Sequence, residues 1–282
     1  MRFLFVSRIT EIEGKKIRGQ VDFSAGEPWR RKGAKAECII STSVISEAIG
    51  QLVSWMTLKD NDFSGRPVFL FATTIHLDQG VPAPATVDLE AWITDQSEDS
   101  FIFSGTAKFA GKTVVEIQDC GGYFMPLTEL EDPVITRQRL ITLSQEGLQA
   151  NPSESAFDFS SLVDAILDLK PGQSITTTKQ FLVHEPFYAD HFPRFPVTPI
   201  VVINEMITEA TKRLFKQCSP AGVTVTPVAV QDLKIKSFIR PGDTAVVHVN
   251  ITETNDSLFE TIAEISVNQK RILRGRYRFQ LS

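Results

Sequence analysis

His191-Phe192-Pro193-Arg194-Phe195-Pro196-Val197-Thr198-Pro199, followed at Glu205 by a carboxylate, is the stretch that decides the fold. Each proline fixes its own φ and turns the residue before it away from the helical region, so the segment around His191 is held extended. Pro199 suits the first position of a helix, where a missing N–H costs nothing. The run Ile200-Val201-Val202-Ile203-Asn204-Glu205-Met206-Ile207 then opens a largely apolar, buried helix. An imidazole is therefore expected on a stiff loop beside a helix N-terminus, with a carboxylate inside the apolar helix. Such a carboxylate is costly unless it has a partner or a task.

The chain contains a second copy of this pattern. Glu185-Pro186-Phe187 precedes Glu205 by twenty residues, and Glu27-Pro28-Trp29 precedes Glu47 by the same twenty, an offset of 158. The offset lays Ala85-Thr86-Val87 on Asp243-Thr244-Ala245, each opening an alternating run, and Lys112 on Lys270. One register kept across both halves identifies two copies of one domain. The expected boundaries are 1–128 and 156–282, joined by a polar linker over 129–155. In each copy the patterning predicts a strand, a loop, one long helix (about 43–58 and 200–215) and three strand-like runs. The first half closes with a hairpin into a strand over 113–117. One buried helix with a curved antiparallel sheet is an α+β arrangement.

The copies have complementary losses. Gly33 stands where His191 would, in a loop without proline. The first helix, however, reads Glu47-Ala48-Ile49-Gly50-Gln51, with a glutamine four after the glutamate, whereas Glu209 stands opposite Gln51 in the second half.

Of the 282 residues, 42% are apolar and 22% charged, the profile of a globular protein. No run approaches membrane-spanning length and the start lacks a signal-peptide core, so a cytoplasmic protein is expected, with no membrane partner. Cys38, Cys120 and Cys218 are far apart and odd in number, which favours neither a disulfide framework nor a zinc site. No phosphate loop or dinucleotide fingerprint is present, and no cofactor or metal is expected. Net charge is −5; residues 151–282 carry 14 charges of each sign, so the acidity lies in 1–150. This argues against nucleic acid as a partner. Two local basic clusters remain, Arg30-Arg31-Lys32 with Lys35, and Lys234, Lys236 and Arg240.

These features resemble the hot-dog fold, and within it the 3-hydroxyacyl-[acyl carrier protein] dehydratase family. That family's motif is His-Phe-Pro-Gly-x-Pro-x-x-Pro-Gly, with a glutamate fourteen residues after the histidine. His191, Phe192, Pro193, Pro196, Pro199 and Glu205 fall in place, while Arg194 and Ile200 replace the two glycines. The resemblance implies a double hot-dog, two curved antiparallel sheets each wrapped around one long helix and paired side by side as a pseudo-dimer. In single-domain relatives each site combines the histidine of one protomer with the acidic residue of the other. In a fused tandem this implies that His191 faces Glu47, and that Gly33 with Glu205 forms a vestigial second site.

Removing water from a 3-hydroxyacyl thioester needs a base at C2, an acid at the C3 hydroxyl, and a group that holds the enolate oxygen. The resemblance assigns these roles to His191, Glu47 and the Ile200 N–H, with Gln51 orienting Glu47 or the hydroxyl and Phe192 and Pro193 at the substrate. A histidine titrates near neutrality, a buried carboxyl keeps its proton, and helix-terminal N–H groups attract developing negative charge. An acyl thioester on an acyl carrier protein is the implied substrate, in fatty acid, polyene or polyketide synthesis. A monomeric pseudo-dimer or a homodimer is expected. Two alternatives stay open, a hot-dog acyl thioesterase and a non-catalytic acyl-binding or assembly module.

Overall fold

The computed structural model describes residues 3–25, 27–32, 38–78, 80–148, 157–216, 224–255 and 257–281. The first half contains β1 (Arg8–Glu13), β2 (Lys16–Phe23), β3 (Arg30–Lys32), β4 (Cys38–Ile40), α1 (Thr42–Asp60), β5 (Gly65–Leu77), β6 (Val81–Pro82), β7 (Ala85–Gln96), β8 (Ser100–Phe109) and β9 (Lys112–Pro126). A connector follows with α2 (Leu127–Leu130) and α3 (Pro133–Gln145). The second half holds β10 (Ala165–Lys170), β11 (Ser174–Gln180), α4 (Ile200–Lys216), β12 (Val225–Ile235), β13 (Thr244–Thr254), β14 (Leu258–Val267) and β15 (Lys270–Leu281). The repeat offset carries the first residues of α1, β8 and β9, Thr42, Ser100 and Lys112, onto those of α4, β14 and β15, Ile200, Leu258 and Lys270.

One 12-stranded antiparallel sheet runs β1-β2-β7-β8-β9-β5-β12-β15-β14-β13-β11-β10. Each half contributes six strands in the same internal order, and the halves meet where β5 pairs with β12, Ile75 opposite Val230 and Ala72 opposite Leu233. This is the expected double hot-dog. The strands alternate: in β14 every second residue is buried, which turns one face to the helices. The hairpins are matched as well, with positive φ at Ala110 and Gly111 in one half and at Asn268 and Gln269 in the other.

Helix α1 is capped by Ser41, whose side chain accepts from the Ser43 N–H, and is buried from Thr42 to Leu58 apart from Ser46 and Glu47. A helix apolar on nearly every side is one that a sheet encloses. α4 keeps a polar face, with Arg213 and Lys216 in its last turn. The two helices pack on each other, which brings the N-terminal turns of both beside the β5–β12 seam. Among the described residues no helix is long and apolar enough to cross a membrane.

Two sequence expectations change. The strand expected over 113–117 continues as β9 to Pro126, because Gly121 and Gly122 let it pass β5. A Cβ on Gly122 would lie 1.8 Å from the Val68 carbonyl oxygen. The stretch expected as linker contains α3, which starts at the Asp132 cap with Pro133 in its first turn and packs Leu140 and Leu143 inward, beside β1.

Candidate active site

The histidine loop is closed on itself by backbone hydrogen bonds. His191 N–H donates to the Phe187 carbonyl at 3.0 Å, Phe195 N–H to Phe192 at 3.1 Å, and Val197 N–H to His191 at 3.0 Å. Tyr188 and Thr198 share a hydroxyl hydrogen bond of 2.9 Å across its base, and Thr198 N–H donates to the Ile239 carbonyl. The His191–Phe192 peptide is cis. The Nδ1 of His191 lies 3.0 Å from the Val197 carbonyl oxygen. A carbonyl only accepts, so Nδ1 carries the proton and Nε2 is left as the basic nitrogen. Burial pushes the imidazole down to about 4, opposed by the Val197 carbonyl and assisted by the positive charge of Arg66. His191 is thus neutral at neutral pH, the state in which Nε2 can accept a proton.

Glu47, in the second turn of α1, lines the same cleft as His191, a space of about 780 Å³. Burial raises its carboxyl to about 7, against the opposing hydrogen bond from Gln51 and the charge of Arg66. Gln51 Nε2 donates to Glu47 Oε1 at 3.3 Å and to the Phe3 carbonyl at 3.4 Å, and its Oε1 accepts from the Phe5 N–H at 2.8 Å. Gln51 therefore orients Glu47 while tied to the N-terminal segment. Phe3 N–H in turn donates to Asp190 Oδ2 at 2.8 Å, and the Phe3 ring meets His191 edge-on at 5.5 Å.

Ile200 lines the cleft as the first residue of α4, where a backbone N–H has no intrahelical acceptor. Phe192 is on the wall and stacks on the imidazole at 4.4 Å. Pro193, expected at the substrate, is instead exposed and off the wall: the turn that points Phe192 inward points Pro193 and Arg194 outward. Glu205 lies outside the cleft, 1% exposed, and accepts from Ser41 Oγ at 2.6 Å. Gly33 falls outside the described residues, as do 34–37; the Arg30–Lys32 part of the same segment is strand β3.

Beyond Glu47 a second apolar chamber of about 490 Å³ shares Glu47, Phe69, Ile200 and Ile235 with the cleft and is walled by Phe71, Ala72, Phe103, Ile117 and Leu233. Cys120 also lines it, and burial raises its thiol so that it stays protonated. Among the described residues no group of three His, Cys, Asp or Glu side chains is placed to hold a metal.

Sequence reasoning missed Arg66, a buried cation on the cleft wall. Its guanidinium pairs with the buried Glu131 and lies 5.0 Å over the Phe192 ring. Neither contact has a local sequence signal, because the partners come from β5, the connector and the second half.

A family model described as ApeI-like, ApeI dehydratase, matches residues 168–272. The chain is 31% identical over 128 residues to the 3-hydroxyacyl-[acyl-carrier-protein] dehydratase FabZ of Lactiplantibacillus plantarum, covering 45% of this chain and 85% of that protein. It is 32% identical over 114 residues to the FabZ of Pseudoalteromonas translucida, covering 39% of this chain and 76% of that protein. Among solved structures, a putative oleoyl thioesterase from Lactobacillus plantarum matches with a TM-score of 0.59 at 11% identity, over 94% of this chain and 96% of that one. A bifunctional dehydratase-cyclase domain in ambruticin biosynthesis matches with a TM-score of 0.51 at 10% identity, over 99% and 95% of the two chains. At such identities the structural likeness shows the fold alone.

Proposed function

The chain belongs to the 3-hydroxyacyl-[acyl-carrier-protein] dehydratase family, and on that premise we propose that one composite site, His191 from the second half with Glu47 from the first, carries out its dehydration. The observation that carries this assignment is that both side chains line one cleft while Glu205 lies outside it. His191 Nε2 takes the proton from C2 of the 3-hydroxyacyl thioester. The electron pair forms the C2–C3 double bond as the C3–O bond breaks, and the Glu47 carboxyl gives its proton to the departing hydroxyl, which leaves as water. The Ile200 N–H at the start of α4 holds the thioester oxygen as negative charge develops on it. A carboxyl near 7 is about half protonated at neutrality, and a histidine near 4 is fully available as a base. The reverse, hydration of a trans-2-enoyl thioester, uses the same groups with their proton states exchanged.

The acyl chain enters the second chamber, past Phe69 and Ile235. A carrier protein docks at the cleft mouth, where exposed Lys234, Lys236 and Arg240 flank the wall residues Ile235, Phe238 and Ile239. Carrier proteins are acidic, so salt should weaken this docking. The thioesterase alternative has nothing beyond a shared fold behind it, and the histidine–proline loop argues against it.

The test is hydration of trans-2-enoyl groups on acyl carrier protein and on coenzyme A at low and high salt. Turnover of both, with a carrier preference that fades with salt, is expected. A folded protein that turns over neither, at any chain length, contradicts the assignment.

A further inference from the structure

Arg194, which replaces the first glycine of the motif, reaches out of the histidine loop to the connector between the halves. Its backbone N–H donates to the Leu130 carbonyl at 2.9 Å, and its Nη1 to the Thr128 carbonyl at 2.9 Å and the Glu131 carbonyl at 3.2 Å. Its Nη2 bonds Asp132 Oδ2 at 3.2 Å, on the residue that caps α3. Glu131 turns its carboxylate the other way, into a buried pair with Arg66, with Arg139 3.9 Å from the second oxygen. Arg66 lies over the Phe192 ring, and that ring stacks on His191. Glu131 is therefore the joint of a path that leaves the loop at Arg194 and returns beneath the imidazole at Phe192.

We propose that Arg194, Glu131 and Arg66 are positioning residues for His191, through which the connector clamps the histidine loop against the first half where Glu47 stands. The inference rests on the dehydratase reading and adds residues that the motif does not contain. A planar guanidinium with several donors suits the task, because one side chain can hold two carbonyls and a carboxylate at once. The loop that carries the motif lies in the second half and its acid in the first, so an error of about 1 Å between them can cost on the order of a hundredfold in rate. The hold is internal to the chain because the connector exists only where two halves are joined. Arg66 and Glu131 are both buried, so each depends on the other for charge compensation.

The test compares wild type, His191→Ala, Arg194→Ala, Arg194→Lys and Glu131→Gln in the enoyl hydration assay, with melting temperatures measured alongside. Arg194→Ala, at an exposed side chain, is expected to fold and to lower kcat about tenfold or more with KM within about threefold, and Arg194→Lys to recover part of the loss. Glu131→Gln is expected to leave the Arg66 charge uncompensated. The charged groups around it are Arg139 and Arg194 beside residue 131, and Glu47, His191 and Asp190 along the cleft. The alkaline limb of kcat/KM, set by Glu47, should therefore move to lower pH. A merely structural contact would lower the melting temperature and leave the limbs in place. Arg194→Ala with kcat within about twofold of wild type overturns the proposal, and so does a folded Glu131→Gln with unmoved limbs. If Glu131→Gln does not fold, the Arg194 pair decides alone. An inactive wild type overturns the dehydratase reading itself, whereas an active wild type with dead His191→Ala and undiminished Arg194→Ala overturns only the clamp.

Discussion

His191 and Glu47 come from opposite halves of the chain and line one cleft, while Glu205, in the histidine's own half, is turned away onto Ser41. The pseudo-two-fold sheet explains this pairing. β5 and β12 meet at its centre, so the first turns of α1 and α4 lie on either side of the seam, and the start of α1 comes within reach of the histidine loop of the second half.

The pH dependence of kcat/KM should be a broad bell. Activity is lost as His191 takes up a proton near pH 4, and again as Glu47 loses its proton near pH 7. Glu47→Gln should remove the alkaline limb along with most of the rate. A residual activity that still falls through pH 7 would show that another group sets the limb.

Stability should carry the same signature. The Glu47 pKa is raised on folding, from 4.5 to about 7, so its relative contribution is fully present below 4.5 and is lost as pH rises through 7. The His191 pKa is lowered, from 6.5 to about 4, so its contribution is present above 6.5 and is lost as pH falls through 4. Glu47→Gln should therefore gain stability relative to wild type between pH 4.5 and pH 8. The gain should be on the order of 1–3 kcal/mol, less than the full linkage because the cleft admits water. Urea unfolding at the two pH values measures it, and a difference that does not change with pH would count against a raised carboxyl.

The Ser41–Glu205 contact should matter for stability and not for turnover. Ser41→Ala removes both a helix cap and a donor to a buried carboxylate. It should cost about 1–3 kcal/mol in denaturant unfolding. Its kcat/KM should stay near that of wild type, and a collapse of turnover in a folded variant would place Glu205 in the chemistry.

Chain-length preference should follow the second chamber. Ala72 is buried on its wall beside the β5–β12 seam. Ala72→Leu should reduce kcat/KM for long enoyl chains more than for four-carbon chains, with about 1–3 kcal/mol of overpacking in stability. Equal losses at all lengths would mean that the chain runs elsewhere.

The fold was legible because the repeat kept one register through both halves. Glu-Pro-aromatic, helix and hairpin recur at one spacing, and alternating strands mark their own buried face. That His191 and Glu47 share a cleft is expected from the resemblance to paired single-domain relatives and agrees with the loss of the histidine at Gly33; the two residues share no local pattern. Contacts between distant, unrepeated residues left no trace in the sequence. Arg66 with Glu131 looks like ordinary surface charge until β5 and the connector are brought together. The tie from Phe3 to Asp190 and Gln51 depends on a segment with no turn or periodicity to announce it. Helix α3 was hidden for another reason: Val134, Ile135 and Ile141 are exposed while Thr136, Leu140 and Leu143 are buried, so its apolar residues set no clear helical stripe.

The most direct measurement is hydration of a trans-2-enoyl thioester, followed by loss of its conjugated absorbance, with wild type, His191→Ala, Glu47→Gln and Glu205→Gln side by side. The composite site predicts an active wild type, His191→Ala and Glu47→Gln reduced by about a hundredfold or more, and Glu205→Gln close to wild type. A dead Glu205→Gln with an active Glu47→Gln would contradict pairing across the halves.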